Sequence, residues 1–222
     1  MAAQLIVFDV NETLSDMAPI ADRFADIGAP RQLAPLWFAG LLRDGFARTA
    51  AGTSERFAVL ADGALRTVLH GVNIDRDLGD AITHVLAGFA QLPVHPDVPA
   101  GIRALRAAGH RLVTLSNGAA DVAQGLLERA GLRDEFDALL SVEHAGVWKP
   151  HPEAYAYAAR TCGTEPADMV LVAVHPWDID GAARAGLATA WINRNGTPYP
   201  GYCRPPDHTM PGLDQLAAAL RG

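Results

Sequence analysis

From about Pro96 onward the sequence alternates short apolar, β-prone segments with segments of helical periodicity, and this alternation constrains the fold most. The helical segments are long enough to cross from one strand to the next, so the pattern indicates βαβ units. The sequence therefore predicts an α/β fold with a doubly wound parallel sheet. The predicted strands are Arg111–Leu115, Ala138–Val142, Met169–Val174 and Ala188–Ile192, and the predicted helices are Val98–Ala108, Asp121–Ala130, Pro152–Cys162 and Ile179–Ala185.

Another apolar segment, Leu5–Phe8, lies near the start of the chain and leads directly into Asp9. Open α/β sheets bind their ligands at the carboxyl ends of the strands. Asp9 is therefore a candidate nucleophile, although an acid in this position can also do no more than cap a helix.

Residues 16–95 interrupt the alternation with apolar residues at helical spacing and no convincing strand. A helical block inserted after the first strand is typical of a cap over the carboxyl edge of the sheet. We therefore predict an α/β core of residues 1–15 and 96–222 and a helical cap of residues 16–95. In the tail, residues 195–211 are rich in Gly and Pro and predict a surface excursion before a short helix, Leu213–Leu220.

The composition narrows the range of partners. The 222 residues include 18 Lys and Arg against 25 Asp and Glu, for a net charge of −7, with no basic run. This balance argues against nucleic acid and anionic membranes as partners. We expect a cytoplasmic protein, since the first residues lack a basic signal region and no apolar stretch reaches the roughly 18–20 residues that span a bilayer. The two cysteines, Cys162 and Cys203, are too few and too far apart to predict a disulfide framework or a zinc site.

Four loop segments that follow predicted strands bring complementary groups to one edge of the sheet. Besides Asp9, they supply Ser116 with Asn117, Lys149, and Asp178. An ionised nucleophilic acid needs a positive partner, and a second carboxylate can take a proton from water. Taken singly, Ser116 or Asp178 could cap a helix and Lys149 could be a surface lysine; together they indicate catalysis.

These segments resemble the motifs of the haloacid dehalogenase superfamily, and within it those of the 2-haloacid dehalogenases. The resemblance covers nearly the whole chain and includes the stretch Ala190–Arg194. The matching motifs are Phe8-Asp9-x-x-x-Thr13-Leu14, Leu115-Ser116-Asn117-Gly118, Lys149-Pro150-x-Pro152-x-x-Tyr155 and Trp177-Asp178-x-x-Gly181-Ala182.

The resemblance implies a two-step substitution on a small halogenated carboxylic acid. Asp9 would displace halide to form an ester, water would cleave that ester, Lys149 would keep Asp9 ionised, and Asp178 would orient or deprotonate the water. Ser116, with backbone donors near Thr13 and Leu14, would hold the substrate carboxylate. Thr13, Tyr155 and Trp177 also match residues around the nucleophile. The family often forms homodimers, which makes a second copy a candidate partner.

Two competing functions remain open. A magnesium-dependent phosphatase of the superfamily carries a second Asp where this chain has Asn11, and an Asp of its metal site where this chain has Ala173. Asn11 cannot act as a titrating acid, and the supply of oxygen ligands for magnesium is reduced, so we expect no metal and no other cofactor. A non-catalytic member that binds a metabolite would have no need to keep Asp9, Lys149 and Asp178 together.

The chain departs from the dehalogenase pattern in its cap. Phe38 follows Trp37 where the family carries an Arg that faces the halide, and Arg43 lies about 140° further around a helix. Arg43 could therefore replace that Arg only if the helix shifts. Otherwise Trp37, Phe38 and Phe57 would form a tight aromatic pocket for a small halogen, with Asn117 as a polar donor, which suits haloacetates and fluoroacetate.

A second departure is His175, in a position where the family typically shows Asn. A His three residues before Asp178 can orient water or share its proton near neutral pH. We therefore expect His175 to join Asp178 in the hydrolysis of the ester, with a structural histidine bonded to backbone as the alternative.

Overall fold

The computed structural model describes residues 4–220 and contains a six-stranded sheet in the order β3-β2-β1-β4-β5-β6. All its strand pairs are parallel. The strands are β1 (Leu5–Phe8), β2 (Arg111–Ser116), β3 (Ala138–Ser141), β4 (Met169–Ala173), β5 (Ala188–Ile192) and β6 (His208–Met210). The helices are α1 (Ile20–Ala25), α2 (Leu33–Ala50), α3 (Phe57–Val68), α4 (Leu78–Phe89), α5 (Val98–Ala107), α6 (Ala120–Arg129), α7 (Pro152–Cys162), α8 (Pro176–Arg184) and α9 (Leu216–Ala219).

The sheet is buried on both faces, as its continuous apolar strands require. Along β1, Leu5 and Val7 point into one hydrophobic cluster while Ile6 and Phe8 point into the other. The alternation arises because successive side chains of a strand point to opposite faces. Strand β1 lies between β2 and β4, so the residues after β1 face the carboxyl ends of both neighbours.

Helices α1–α4 lie between β1 and α5, and we call them the helical insert. Its two connections to the sheet run side by side. The backbone N–H of Asp16 donates to Pro93 O, and the backbone N–H of His95 donates to Leu14 O. These bonds hold the two ends of the insert together beside the carboxyl end of β1. We propose that the insert is the cap predicted for residues 16–95.

The structure corrects the prediction for the tail. Residues 195–211 contain β6, which adds an edge strand to the sheet, instead of forming only a surface excursion. The final helix is also shorter than predicted, because a 3₁₀ turn at Leu213–Gln215 precedes α9. Within residues 4–220 we find no helix with the length and apolarity needed to cross a membrane.

Candidate active site

A buried ammonium bridges two buried carboxylates at the carboxyl edge of the sheet. Lys149 Nζ lies 2.9 Å from Oδ1 of Asp9, directly after β1, and 2.6 Å from Oδ2 of Asp178, in the first turn of α8. The Lys149 and Asp178 side chains are fully buried, and that of Asp9 is 5% exposed. Three residues that the sequence brings from distant segments therefore form one charged cluster.

The cluster separates the protonation behaviour of the two acids. Burial raises the pKa of Asp9, but Lys149, His175 and Thr13 outweigh it and hold that pKa well below its usual value. Burial also raises the pKa of Asp178, and the neighbouring Asp9 raises it further. For Lys149, burial opposes the charge, but the two carboxylates raise its pKa. Asp9 is thus the acid held as a carboxylate, and Asp178 is the better proton acceptor.

Asn117 positions Lys149. Its Nδ2 donates to Lys149 O at 3.2 Å, and its Oδ1 accepts from Lys149 N at 2.9 Å. These two bonds fix the backbone from which the ammonium extends, so the structure gives Asn117 a supporting contact where the sequence suggested a substrate or halide donor. Ser116 Oγ accepts from Gly118 N at 2.9 Å, which leaves the hydroxyl hydrogen for another acceptor.

Tyr155 contacts Asp178 and not the nucleophile. Its hydroxyl donates to Oδ1 of Asp178 at 2.6 Å, and burial together with Asp178 raises the pKa of the phenol well above 10.0. The approach depends on Gly181, because a Cβ there would lie 2.7 Å from the Tyr155 hydroxyl oxygen and 2.5 Å from Pro150 Cβ. Tyr155 therefore orients Asp178, and its expected contact with the substrate stays a prediction.

Thr13 contacts the second carboxylate oxygen of Asp9. Its hydroxyl donates to Oδ2 of Asp9 at 2.6 Å and accepts from Val174 N at 3.1 Å. The Val174 bond orients the hydroxyl so that its hydrogen points at Asp9. The backbone N–H of Leu14 donates to Val10 O at 2.9 Å, so Leu14 is not the free donor that the sequence suggested for the substrate carboxylate.

His175 lies between two carboxylates, neither of which is Asp178. Its Nδ1 is 3.1 Å from Oδ2 of Asp9, and its Nε2 is 2.7 Å from Oε2 of Glu12. Burial opposes protonation of His175, but these two partners raise its pKa to about 9. Within residues 4–220 the ring therefore contacts Asp9 itself and Glu12, and its part in ester hydrolysis alongside Asp178 stays a prediction.

Aromatic rings of the site come from both the core and the helical insert. Trp177 stacks on His175 with ring centroids 5.0 Å apart, and Lys149 Nζ lies 5.9 Å from its ring centroid. Phe46 of α2 packs on Trp177 at 4.9 Å, a contact that sequence analysis did not predict. Phe57 approaches the loop after β2, since a Cβ on Gly118 would be 3.9 Å from its ring and 3.2 Å from Ser116 Oγ.

Trp37, Phe38 and Phe57 are joined in one packed aromatic group: the Trp37 ring lies 6.3 Å from Phe38 and 5.9 Å from Phe89, and Phe57 stacks on Phe89 at 5.2 Å, all between ring centroids. Their role as a pocket for the halogen stays a prediction. Trp37 is fully buried, and its indole N–H donates to Ala61 O at 3.0 Å within the insert. Phe38 also lines a cavity, while Phe57 stacks on Trp148 at 6.1 Å between ring centroids. These rings belong to one apolar cluster that continues from the insert to Trp148 and to residues of the sheet.

Arg43 lies on the surface of α2. Its side chain is 71% exposed, and its Nε donates to the neighbouring Asp44 at 2.8 Å. The structure therefore does not support Arg43 as a halide ligand, and the helical-period argument explains why: its position on α2 is turned away from that of Phe38.

Two residues that contact the candidate site, Glu12 and Arg194, were missed by sequence reasoning. Glu12 adopts a left-handed backbone conformation with φ 62°, and this conformation accompanies its contact with His175. Arg194 donates to Thr13 O at 3.0 Å and to Oδ2 of Asp97 at 2.9 Å, which ties the loop after β1 to α5. The sequence did offer a hint of each residue. Glu12 is an acid in the turn that follows Asp9, and Arg194 ends the stretch Ala190–Arg194 that resembles the family.

Two cavities adjoin the cluster and share Glu12, Met17 and Ala18. The first, of about 320 Å³, is also lined by His175 and Arg194. The second, of about 220 Å³, extends under the insert to Phe38. Asp9 lines neither of these two cavities. His175 both lines the larger cavity and touches Asp9, so it separates the carboxylate from this space.

Comparison with known proteins identifies the class of enzyme. The sequence profile of the haloacid dehalogenase-like hydrolases matches residues 3–186. The chain belongs to this hydrolase family, and the predicted family resemblance and α/β fold are confirmed.

Within that family the chain is similar to enzymes that act on carbon–halogen bonds. Haloacetate dehalogenase H-2 of Moraxella sp. (strain B) is 30% identical over 215 residues, 96% of each chain. The (S)-2-haloacid dehalogenase of Pseudomonas sp. (strain YL) is 30% identical over 210 residues, 94% of this chain and 90% of the relative. The structure of L-2-haloacid dehalogenase from Xanthobacter autotrophicus with chloropropionic acid covalently bound matches with a TM-score of 0.89 and 27% identity, covering 100% of this chain and 99% of that one.

Proposed function

We propose that this hydrolase removes halide from short 2-haloalkanoic acids, including chloroacetate and fluoroacetate, through an ester on Asp9 and without a metal. The observation that carries the proposal is the position of Lys149 between Asp9 and Asp178. An ammonium between them would keep Asp9 ionised for attack on carbon. It would also hold Asp178 close to the ester on Asp9, which Asp178 helps to cleave.

The first step uses Oδ1 of Asp9. Its other oxygen, Oδ2, accepts hydrogen bonds from both Thr13 and His175, whereas Oδ1 accepts only the bond from Lys149 among the described contacts. A carboxylate oxygen has two lone pairs, so Oδ1 keeps one for the substrate. It would attack the halogen-bearing carbon from the back, and the carbon–halogen bond would break with its electron pair on the halide.

The second step cleaves the ester. Water would attack Cγ of Asp9 while Asp178 takes one of its protons; Cγ–Oδ1 would then break, and the departing alkoxide would recover that proton as the 2-hydroxy acid. The second proton of the water would leave the new carboxyl group of Asp9 to solvent, because the pKa of Asp9 is low, and the carboxylate is regenerated. The relatively high pKa of Asp178 suits it to this exchange. We propose that Ser116 holds the substrate carboxylate, since its hydroxyl hydrogen is not used in its bond with Gly118.

The proposal of metal independence is supported by the donor groups of the cluster. Each of the two carboxylates is already bonded to the Lys149 ammonium, and Asn11 offers an amide where a phosphatase has its acid. A bridging magnesium ion would compete with that ammonium for the same oxygens.

The proposal is tested by halide release from chloroacetate, fluoroacetate and (S)-2-chloropropionate, with and without EDTA, beside p-nitrophenyl phosphate with and without magnesium. We expect halide release that EDTA does not change. Phosphatase activity that appears with magnesium, with no halide released from any of the three acids, would overturn the proposal. Asp9→Asn is the matched control, because it keeps the shape of the side chain and removes the nucleophile.

A further inference from the structure

We propose that His175 is a catalytic residue: as an imidazolium held by Glu12, it donates from Nδ1 to Oδ2 of Asp9 and stabilises the negative charge that forms there when water attacks the ester. The inference rests on the proposed ester intermediate. In this role His175 is not a base. The ring stays protonated throughout and acts on the oxygen as a hydrogen-bond donor.

The geometry of the ring contacts requires a donor at both nitrogens. Nδ1 faces Asp9 at 3.1 Å and Nε2 faces Glu12 at 2.7 Å, and an ionised carboxylate can only accept. A neutral imidazole would turn one lone pair towards a carboxylate. The raised pKa of His175, to about 9, agrees with this reasoning. A doubly protonated ring has no free lone pair with which to take a proton from water.

The placement of Oδ2 makes the donor useful. If Oδ1 forms the ester bond, Oδ2 becomes the ester carbonyl oxygen. When water adds to Cγ, the π electron pair of the Cγ=Oδ2 double bond moves onto Oδ2, which then carries the negative charge. Two donors already point at it, the Thr13 hydroxyl at 2.6 Å and His175 Nδ1 at 3.1 Å. Donors fixed before the charge develops stabilise the transition state without reorganisation.

Glu12 is a positioning residue in this account. It lies outside the ester chemistry, yet its carboxylate fixes the tautomer and charge of His175. When Asp9 is esterified it loses its charge, and Glu12 is then the acid that still contacts the ring. The other titratable groups around the larger cavity are Asp16, His95 and Arg194, of which Arg194 and His95 contact the backbone oxygen of Glu12.

The experiment separates ester formation from ester hydrolysis in single turnovers with chloroacetate, using rapid quench, halide assay and intact mass of the Asp9 adduct. We expect His175→Ala to release one halide per enzyme and then to hydrolyse the ester roughly 10²–10³-fold more slowly than the wild type. His175→Asn keeps an amide N–H near the place of Nδ1, so it should recover most of that loss and lack the fall in rate at alkaline pH. Glu12→Gln should move that alkaline fall to lower pH.

Asp16→Asn is the matched control, since it removes an acid from the same cavity. Oδ1 of Asp16 accepts from Ala18 N, and Asn can replace it as an acceptor, so this variant should behave as the wild type. A normal burst of halide from His175→Ala also shows that this variant is folded. Ester hydrolysis at the wild-type rate in His175→Ala, or His175→Asn as slow as His175→Ala, would overturn the inference and leave the dehalogenase proposal standing. Failure of the wild type to form an ester would overturn both.

Discussion

The ammonium of Lys149 lies 2.9 Å from Oδ1 of Asp9 with its own side chain fully buried. Lys149 is the only lysine in the chain. Its charge cannot be left unpaired in a buried position, so the protein needs the contacts of Lys149 with Asp9 and Asp178 in order to fold. A single lysine also makes the state of this ammonium directly observable.

Protein labelled with ¹⁵N-lysine should give one side-chain ammonium signal. The two carboxylates raise the pKa of Lys149, so the signal should remain that of the protonated form through pH 10.5, the usual pKa of a lysine side chain. In Asp9→Asn one of these charges is lost, and the signal should titrate at lower pH than in the wild type. Titration of the wild-type signal below pH 10.5 would contradict the ion pairs seen here.

Lys149→Met should destabilise the protein and change the pH dependence of halide release. Removing one partner of a buried ion pair costs about 3–5 kcal/mol in free energy of unfolding, measurable by chemical denaturation. Without the ammonium, Asp9 and Asp178 repel each other and burial raises the pKa of Asp9. With the pKa of Asp9 raised in Lys149→Met, the residual activity of this variant should fall as pH is lowered from about 8 to about 5. In the wild type the pKa of Asp9 is lowered, so Asp9 stays ionised over the same range. Equal pH profiles in the two proteins would argue against this role of Lys149.

Tyr155→Phe should slow ester hydrolysis while leaving the halide burst intact. The hydroxyl contacts Asp178 at 2.6 Å, and losing a hydrogen bond to a charged group costs about 1.5–3 kcal/mol, or roughly 10–150-fold if the whole loss falls on the transition state. Pre-steady-state halide assays give both rates in one experiment. A smaller burst rate with unchanged hydrolysis would instead place Tyr155 at the substrate.

Much of the sheet and the charged cluster could be predicted from the sequence because both depend on local pattern. The strand β4, for example, is a continuous apolar run between polar segments. Lys149 and Asp178 each belong to a short motif whose residues have a fixed spacing. Strand β6 was missed because its three residues, His208–Met210, carry no alternation, and its place depends on pairing with β5.

The parts of the site that could not be predicted depend on three-dimensional contacts between distant segments. The contact between His175 and Glu12 joins residues far apart in the sequence, and at Glu12 it occurs together with a left-handed backbone conformation that the sequence did not indicate. The exposed position of Arg43 and the burial of Trp37 are decided by how α2 packs within the insert. Helical period narrowed the choice for Arg43, but only the packing settles which face of α2 is buried.

Two glycines on the same helix offer a matched test of how the insert meets the core. A Cβ on Gly45 of α2 would lie 2.5 Å from the Trp148 ring, beside Lys149, whereas a Cβ on Gly40 would meet nothing within 4 Å. Gly40→Ala should stabilise the protein by about 0.5–1 kcal/mol, as expected for a helix interior. Gly45→Ala should destabilise it, by about 1–3 kcal/mol for overpacking, and lower activity. Thermal melts of the two variants measure the difference, and equal melting temperatures would show that α2 does not pack against Trp148.

The covalent role of Asp9 is tested most directly by one turnover in H₂¹⁸O with enzyme in excess over chloroacetate, followed by mass spectrometry of the peptide that contains Asp9. The account predicts one ¹⁸O in Asp9 and none in the glycolate, because water attacks Cγ and the product keeps the original Asp9 oxygen. Label in the glycolate with none in Asp9 would mean that water displaces the halide directly, and would contradict the account.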